Sequence, residues 1–191
     1  MLRANSLALL LLILSSCGYG FTSLKNPYEK KGIRTVSVDI FKNKTIEGGV
    51  EVYFTDALRL YLVSRSGKLE LVRNGADAYI EGEVNSVILT PASIQMGTAA
   101  TEAEGGLPAE RLLATTYMVT VNVKLKMIRT KDKAILWQNS FSQSQSMNSG
   151  SYTDERSTSN VFIKESNKRE TLRILSDQMM LFAVDSLLEE F

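Results

Sequence analysis

The stretch Thr115–Arg129 sets the strongest constraint on how this chain can fold. Val119, Val121, Val123, Leu125 and Met127 alternate there with Thr120, Asn122, Lys124 and Lys126. A period of two puts the first set on one face of a strand and the second set on the other. One face must be buried and the other wet, which is the habit of an antiparallel sheet covered on one side only. Thr130-Lys131-Asp132-Lys133 then reads as a hairpin turn. Ala134–Gln145 reads as the returning strand, with Ile135, Trp137, Asn139 and Phe141 on one side.

The rest of the chain supplies partners for that hairpin. Thr35–Phe41 alternates, with Val36, Val38 and Ile40 on its buried face. Lys68–Val72 is a short strand closed by the turn Asn74-Gly75. Ala78–Ser93 is longer, with Ile80, Gly82, Val84 and Ser86 facing in and Glu81, Glu83 and Asn85 facing out; Pro91 caps or bends its end. Two stretches switch to helical spacing. Val50–Ser64 carries the stripe Val50, Phe54, Ala57, Leu58, Tyr61 and Leu62, and Lys168–Glu190 carries Leu172, Leu175, Met179, Phe182, Ala183 and Leu187. Long loops are expected over 94–113, where Gly97, Gly105-Gly106 and Pro108 break any period, and over the serine-rich 146–166. The expected fold is therefore a single α+β domain over 34–191. It is a two-layer sandwich, two helices packed on one face of a four- to five-stranded, mostly antiparallel sheet.

The N-terminus reads as an address. Leu7–Leu14 is eight apolar residues in a row, about 12 Å of helix against a hydrocarbon core of roughly 30 Å. That suits the apolar segment of a secretory signal and not a spanning helix. Leu14-Ser15-Ser16-Cys17 follows. An aliphatic residue, two small residues and Cys resemble a bacterial lipoprotein signal, in which residues 1–16 are removed and the Cys17 thiol is acylated. Gly18 follows Cys17 where Asp would favour the inner membrane, so lipoprotein sorting by that resemblance favours the outer membrane. Residues 17–33 then read as lipid anchor and tether. Tyr19 and Phe21 could rest at the membrane interface or pack on the domain.

Little chemistry is available to the folded part. The chain has no histidine, and its one cysteine is used by the anchor. That removes His-based bases and ligands, thiol nucleophiles, internal disulfides and cysteine-cluster zinc sites. The serines lie in polar loops, Glu81 and Glu83 share a strand face that is more simply solvated, and Gly105-Gly106 lacks the context of a phosphate loop. No enzyme, metal or cofactor is expected. Residues 17–191 carry 21 basic and 21 acidic side chains, so the overall charge gives no footprint for nucleic acid. One local cluster stands out: Lys124, Lys126, Arg129, Lys131 and Lys133, around the hairpin turn. Five cations there suit either an anionic lipid headgroup or a solvated tip that discourages edge pairing.

Several segments together resemble one family. Cys17-Gly18-Tyr19 with Phe21, Val38–Thr45 and its terminal Phe-Lys-Asn-Lys-Thr, and Ala76-Asp77-Ala78-Tyr79-Ile80-Glu81-Gly82-Glu83-Val84 are similar to the lipopolysaccharide-assembly lipoproteins, the LptE family. So are Tyr117–Leu125 followed by Leu136-Trp137, and Arg169-Glu170 in the last helix. The match spans most of 17–191 and departs at Gly20, where the family often has His, and in the long loop 94–113. The resemblance implies a lipoprotein of the outer membrane, facing the periplasm. It would sit in the lumen of a large LptD-type outer-membrane β-barrel as plug and assembly partner, and would take part in lipopolysaccharide transport, with lipopolysaccharide itself as a ligand. The alternative is a stand-alone lipid-anchored periplasmic binding module for an envelope ligand.

Overall fold

Six strands build one sheet in the computed structural model of the chain, which describes residues 26–65, 68–96, 112–148 and 159–189. The expected signal segment, Cys17, Tyr19, Phe21 and the centres of both expected loops lie outside the described residues. The elements are β1 (Thr35–Val38), β2 (Lys42–Asn43), α1 (Val50–Ser64), β3 (Glu70–Leu71), β4 (Ala78–Met96), β5 (Leu112–Arg129), β6 (Ile135–Asn148) and α2 (Ser159–Leu188). The strand order is β3-β1-β4-β5-β6, with β2 also beside β4. Both helices pack on the sheet, so the α+β sandwich stands. The strand number is six and not four or five, and the sheet is mixed. β1 runs parallel to β3 and β4, and β2 parallel to β4, while β4-β5-β6 is antiparallel. A helical crossover through α1 returns the chain in the same direction, and that makes the short pairings parallel.

β5 is the centre. Val119, Val121, Val123, Leu125 and Met127 are all at most 1% exposed. The helices bury complementary stripes: Val50, Phe54, Ala57, Leu58 and Leu62 from α1, and Leu172, Leu175, Met179, Met180, Ala183, Val184 and Leu187 from α2. Phe182, expected in that stripe, is 60% exposed. The buried threonine and serine side chains of α2 are satisfied locally. The Thr171 and Ser176 hydroxyls donate to the carbonyls of Asn167 and Arg173.

Register shifts explain the other departures. Val38 lies opposite Ile80, but Lys42 lies opposite Glu83. The β1–β2 side therefore carries one residue more than β4 over that span. An extra residue reverses which side chains face the core. Ile40, expected inside, is 68% exposed, and Phe41 is 3% exposed. A second shift between Val84 and Ser86 turns Ser86 to the outer face, where it accepts a hydrogen bond from the Asn122 amide at 2.8 Å, and brings Val87 against the core. Two more shifts, around Ser93, erase the period of two where the strand itself continues. β4 thus runs through Pro91 to Met96, into the expected loop. Pro91 is tolerated because no described strand pairs with the other side of β4 there.

The last helix begins nine residues before the expected Lys168. Polar contacts hold the stretch 164–168, which carries no apolar side chain to read. The Asn167 amide donates to the Asn148 carbonyl, Lys164 lies over the Tyr117 ring at 4.5 Å, and Lys168 bridges Glu47 at 2.9 Å and Glu165 at 3.1 Å. Burial pulls the Lys168 ammonium pKa down, but the hydrogen bonds to Glu47 and Glu165 outweigh it and leave the pKa raised. Residues 26–33, expected in the tether, pack on the domain. Tyr28 and Ile33 are 1% and 2% exposed, and the Tyr28 hydroxyl donates to the Leu187 carbonyl near the end of α2.

Two details of the Ala76–Val84 segment are mechanical. A β carbon on Gly82 would collide with the Phe41 ring, which stacks on Phe54 at 6.2 Å between centroids. The Phe41 amide donates to Thr55 on α1, so the ring is fixed from behind. Asp77 accepts hydrogen bonds from the amides of Arg34 and Thr35 and from the Thr35 hydroxyl, while its own carbonyl receives the Thr130 amide. One residue thereby joins β1, β4 and the β5–β6 turn.

Gly82→Ala should lower stability by about 1–3 kcal/mol through overpacking, read as a fall in the denaturant midpoint, and Phe41→Leu in the same chain should recover part of it. An unchanged midpoint would mean that the ring yields at no cost. Asp77 titrates below its ordinary 3.8, chiefly because the Arg34 and Thr35 amides hydrogen-bond its carboxylate. A depressed folded pKa stabilises the protein above the unfolded value and is lost as pH falls through the folded one. Unfolding free energy should therefore drop below about pH 4, and Asp77→Asn should flatten that drop. Identical acid profiles for the two proteins would contradict this role.

Candidate functional site

Among the described residues, nothing covers the sheet face away from the helices. Alternation places Tyr79, Glu81 and Glu83 of β4, Thr120, Asn122, Lys124 and Lys126 of β5, and Gln138, Ser140, Ser142 and Ser144 of β6 upon it. Along β6 this face is uncharged and hydroxyl- or amide-bearing, while β5 alternates Thr120 and Asn122 with the exposed Met118, beside Ile88 of β4. The Thr120 and Ser144 hydroxyls, for instance, share a hydrogen bond at 2.8 Å.

Charge gathers at one end. Glu81 lies opposite Lys126, and Glu83 lies opposite Lys124 on one side and Lys42 on the other. Lys44 reaches Glu83 at 2.7 Å. Its position follows from the sequence Asn43-Lys44-Thr45. The Asn43 side-chain oxygen accepts from the Thr45 amide and hydroxyl, its amide nitrogen donates to the Glu47 carbonyl and to Glu51, and the Lys44 amide donates to the Val84 carbonyl of β4. Lys44 thus rises from a locked turn. The Glu83 carboxyl is held below its ordinary pKa by the Lys44 hydrogen bond first, against the opposing effect of burial, and then by the charges of Lys44, Lys124 and Lys42. Four lysines surround two carboxylates, so the patch keeps an excess of positive charge.

The five cations singled out in the sequence do not form one cluster. Lys124 and Lys126 lie on the outer face. Lys133, in a left-handed backbone conformation with φ 59°, closes the turn and lies over the Tyr79 ring at 4.9 Å, beside the same face. Lys131 stands exposed at the tip. Arg129 is opposite Ala78 in register and belongs with the helix side. Its guanidinium bridges Asp132 at 3.0 Å and orders the turn. Asp132 in turn is held below its ordinary pKa by the Ala134 amide first and by Arg129. Lys42 and Lys44 complete the patch instead. They were not legible as members because parallel pairing of β2 with β4 is a long-range event that no local spacing announces.

Chemically the patch offers point charges on flexible stems, backed by hydroxyls and amides. That suits phosphates borne on a broad surface more than one deeply enclosed anion. A second concavity, of about 350 Å³, lies between the helices and is lined by Tyr53, Glu165, Ser166, Arg169, Glu170 and Arg173. Arg173 is already engaged there by Glu170 and Asp177. Among the described residues, no group of three or more acidic or cysteine side chains could hold a metal ion, and no helix is long and apolar enough to cross a membrane.

The fold and this face together define an α+β sandwich that leaves one polar sheet surface open for contact. The model of the family LptE, lipopolysaccharide-assembly, matches residues 33–184, and the chain belongs to that family. Its work at that level is lipopolysaccharide assembly, and the family is not one of enzymes. No curated protein matches the chain. Solved structures with a similar course include a PelC dodecamer from Paraburkholderia phytofirmans, 11% identical over 82% of this chain and 88% of that one, with a TM-score of 0.45. Lipoprotein GNA1162 from Neisseria meningitidis is 10% identical over 72% and 96%, and a minor lipoprotein from Acinetobacter baumannii 11% over 82% and 97%, each with a TM-score of 0.42.

Proposed function

We propose that the chain is an outer-membrane lipoprotein, held by lipid on Cys17, whose domain sits in the periplasm-facing lumen of an LptD-type β-barrel. There it plugs the barrel, helps it assemble and takes part in moving lipopolysaccharide to the outer leaflet. Family membership supports the process. The observation that carries the placement is the sheet face away from the helices, uncharged and rich in hydroxyls and amides along β6, as the polar interior of a large barrel demands of what fills it. The basic end of that face is the contact for lipopolysaccharide phosphates, through Lys42, Lys44, Lys124 and Lys126, with Lys133 and Lys131 extending it around the turn. Arg129 serves the turn.

Affinity purification of the full chain from native membranes should recover a large barrel in stoichiometric amount. A chain recovered without one under mild detergent would overturn the barrel reading and favour the stand-alone binding module. For the ligand, the combined change Lys44→Glu, Lys124→Glu and Lys126→Glu should weaken binding of purified lipopolysaccharide by roughly tenfold or more, while Lys30→Glu, elsewhere on the surface, leaves it unchanged. Equal binding by both variants would remove the outer face as the contact.

A further inference from the structure

We propose that the end of the domain from which the tether leaves rests on anionic lipid headgroups of the bilayer that holds the anchor. This rests on lipid attachment at Cys17 and not on the barrel reading. The exit point is fixed. The Asn26 amide donates to the Ile33 carbonyl at 2.6 Å, the Tyr28 amide donates to the Asn26 side-chain oxygen at 2.9 Å, and the Tyr28 hydroxyl reaches the Leu187 carbonyl in α2. Cys17 stands nine positions before Asn26, at most about 30 Å of fully extended chain. The exit therefore stays within that reach of the headgroups. A barrel around the domain has to leave this end at its rim, because the tether that starts here must reach lipid outside the wall.

Hydrogen bonds gather cations from three separate segments at this end. The Arg34 carbonyl accepts from the Glu70 amide, which sets Lys68 alongside the stretch that bears Lys30, Lys31 and Arg34. Asp77 accepts from the Arg34 amide and receives the Thr130 amide on its carbonyl, which brings the turn bearing Lys131 and Lys133 to the same corner. None of these six cations forms an ion pair among the described residues. Lys31 lies over the Tyr28 ring at 5.3 Å, and Lys133 over the Tyr79 ring. Asp132 and Asp185 are already taken by Arg129 and Arg65. Glu29, Glu70, Asp77 and Glu189 remain, so the cations stay in excess. Two aliphatic side chains stand at the same end, Ile135 at 58% exposure and Val63 at 55%. Cations around exposed aliphatic groups match a bilayer interface, where phosphates meet the charges and the apolar groups enter between headgroups. Spread over three segments, the charges fit a plane of phosphodiesters better than one enclosed anion. The contact needs little strength of its own, since a short tether holds it at an effective concentration on the order of millimolar.

The test places the full lipidated chain, held by its own anchor, in vesicles of phosphatidylcholine with or without phosphatidylglycerol. A dye is attached at Ile135→Cys, or at Ile46→Cys in the turn before α1, away from this end and 98% exposed. Energy transfer to an acceptor on the headgroups should be about twofold or more higher from Ile135→Cys than from Ile46→Cys when phosphatidylglycerol is present. The difference should shrink without phosphatidylglycerol and at high salt. Lys30→Glu, Lys31→Glu and Lys68→Glu together should abolish it, with circular dichroism unchanged. Equal transfer from the two sites in a chain that floats with the vesicles overturns the orientation alone. So does a difference indifferent to salt and to phosphatidylglycerol, which would leave the tether's length as its cause. A chain that does not float, or whose wild type takes up the dye at Cys17, removes the anchor and the orientation with it.

Discussion

Five side chains along β5 hold the two layers together. Val119, Val121, Val123, Leu125 and Met127 are almost wholly removed from water, each worth about 1.5–3 kcal/mol relative to exposure. They lie in the one strand flanked on both sides by long antiparallel partners. The helices pack on each other, α1 also against β1–β4 and α2 also against β5 and β6, and the buried row belongs to the core they share. A slip of one residue would present Thr120, Asn122, Lys124 and Lys126 to the helices, so the row fixes register as well as stability. The same alternation creates the open polar face. Core and candidate contact surface are the two sides of a single pattern, and neither could change its phase without the other.

That pattern is why so much was readable in the chain. A strict period survives translation into structure when the strand is straight, as in β5, or when a helix carries a full apolar stripe, as in α1, whose bounds coincide with the expected Val50–Ser64. Legibility failed where the backbone departs from period. The extra residue before Phe41 exchanged Ile40 for Phe41, and the shift after Val84 exchanged Ser86 for Val87. In α2 the early turns are ordered by Lys164, Asn167 and Lys168, whose partners lie 19 or more residues away for Asn167 and across the fold for the others. Phe182 fits a helical stripe in sequence but overhangs the end of the sheet, and no sequence period reports where a sheet ends.

The candidate contact surface shows the same division. Lys124 and Lys126 were legible because they alternate with the core. Lys42 and Lys44 come to the patch by parallel pairing, and Arg129 is off it because its position is in phase with the core residues of β5, where Asp132 then engages its guanidinium. The family-like segments have physical content of their own. Asp77 fastens β1, β4 and the β5–β6 turn at one corner, Gly82 makes room for the Phe41 ring, and Asn43 and Thr45 tie the turn that presents Lys44. These residues shape the scaffold from which any lipid or barrel contact is made.

The contact between Tyr28 and Leu187 joins positions 159 residues apart, near the two ends of the described domain. The last carbonyls of a helix have no partner within it, so Tyr28 completes what α2 leaves open. Its own burial in turn needs the end of α2. A chain made from its N-terminus therefore presents Tyr28 early and its acceptor late, so the burial of Tyr28 waits on the closing turns of α2.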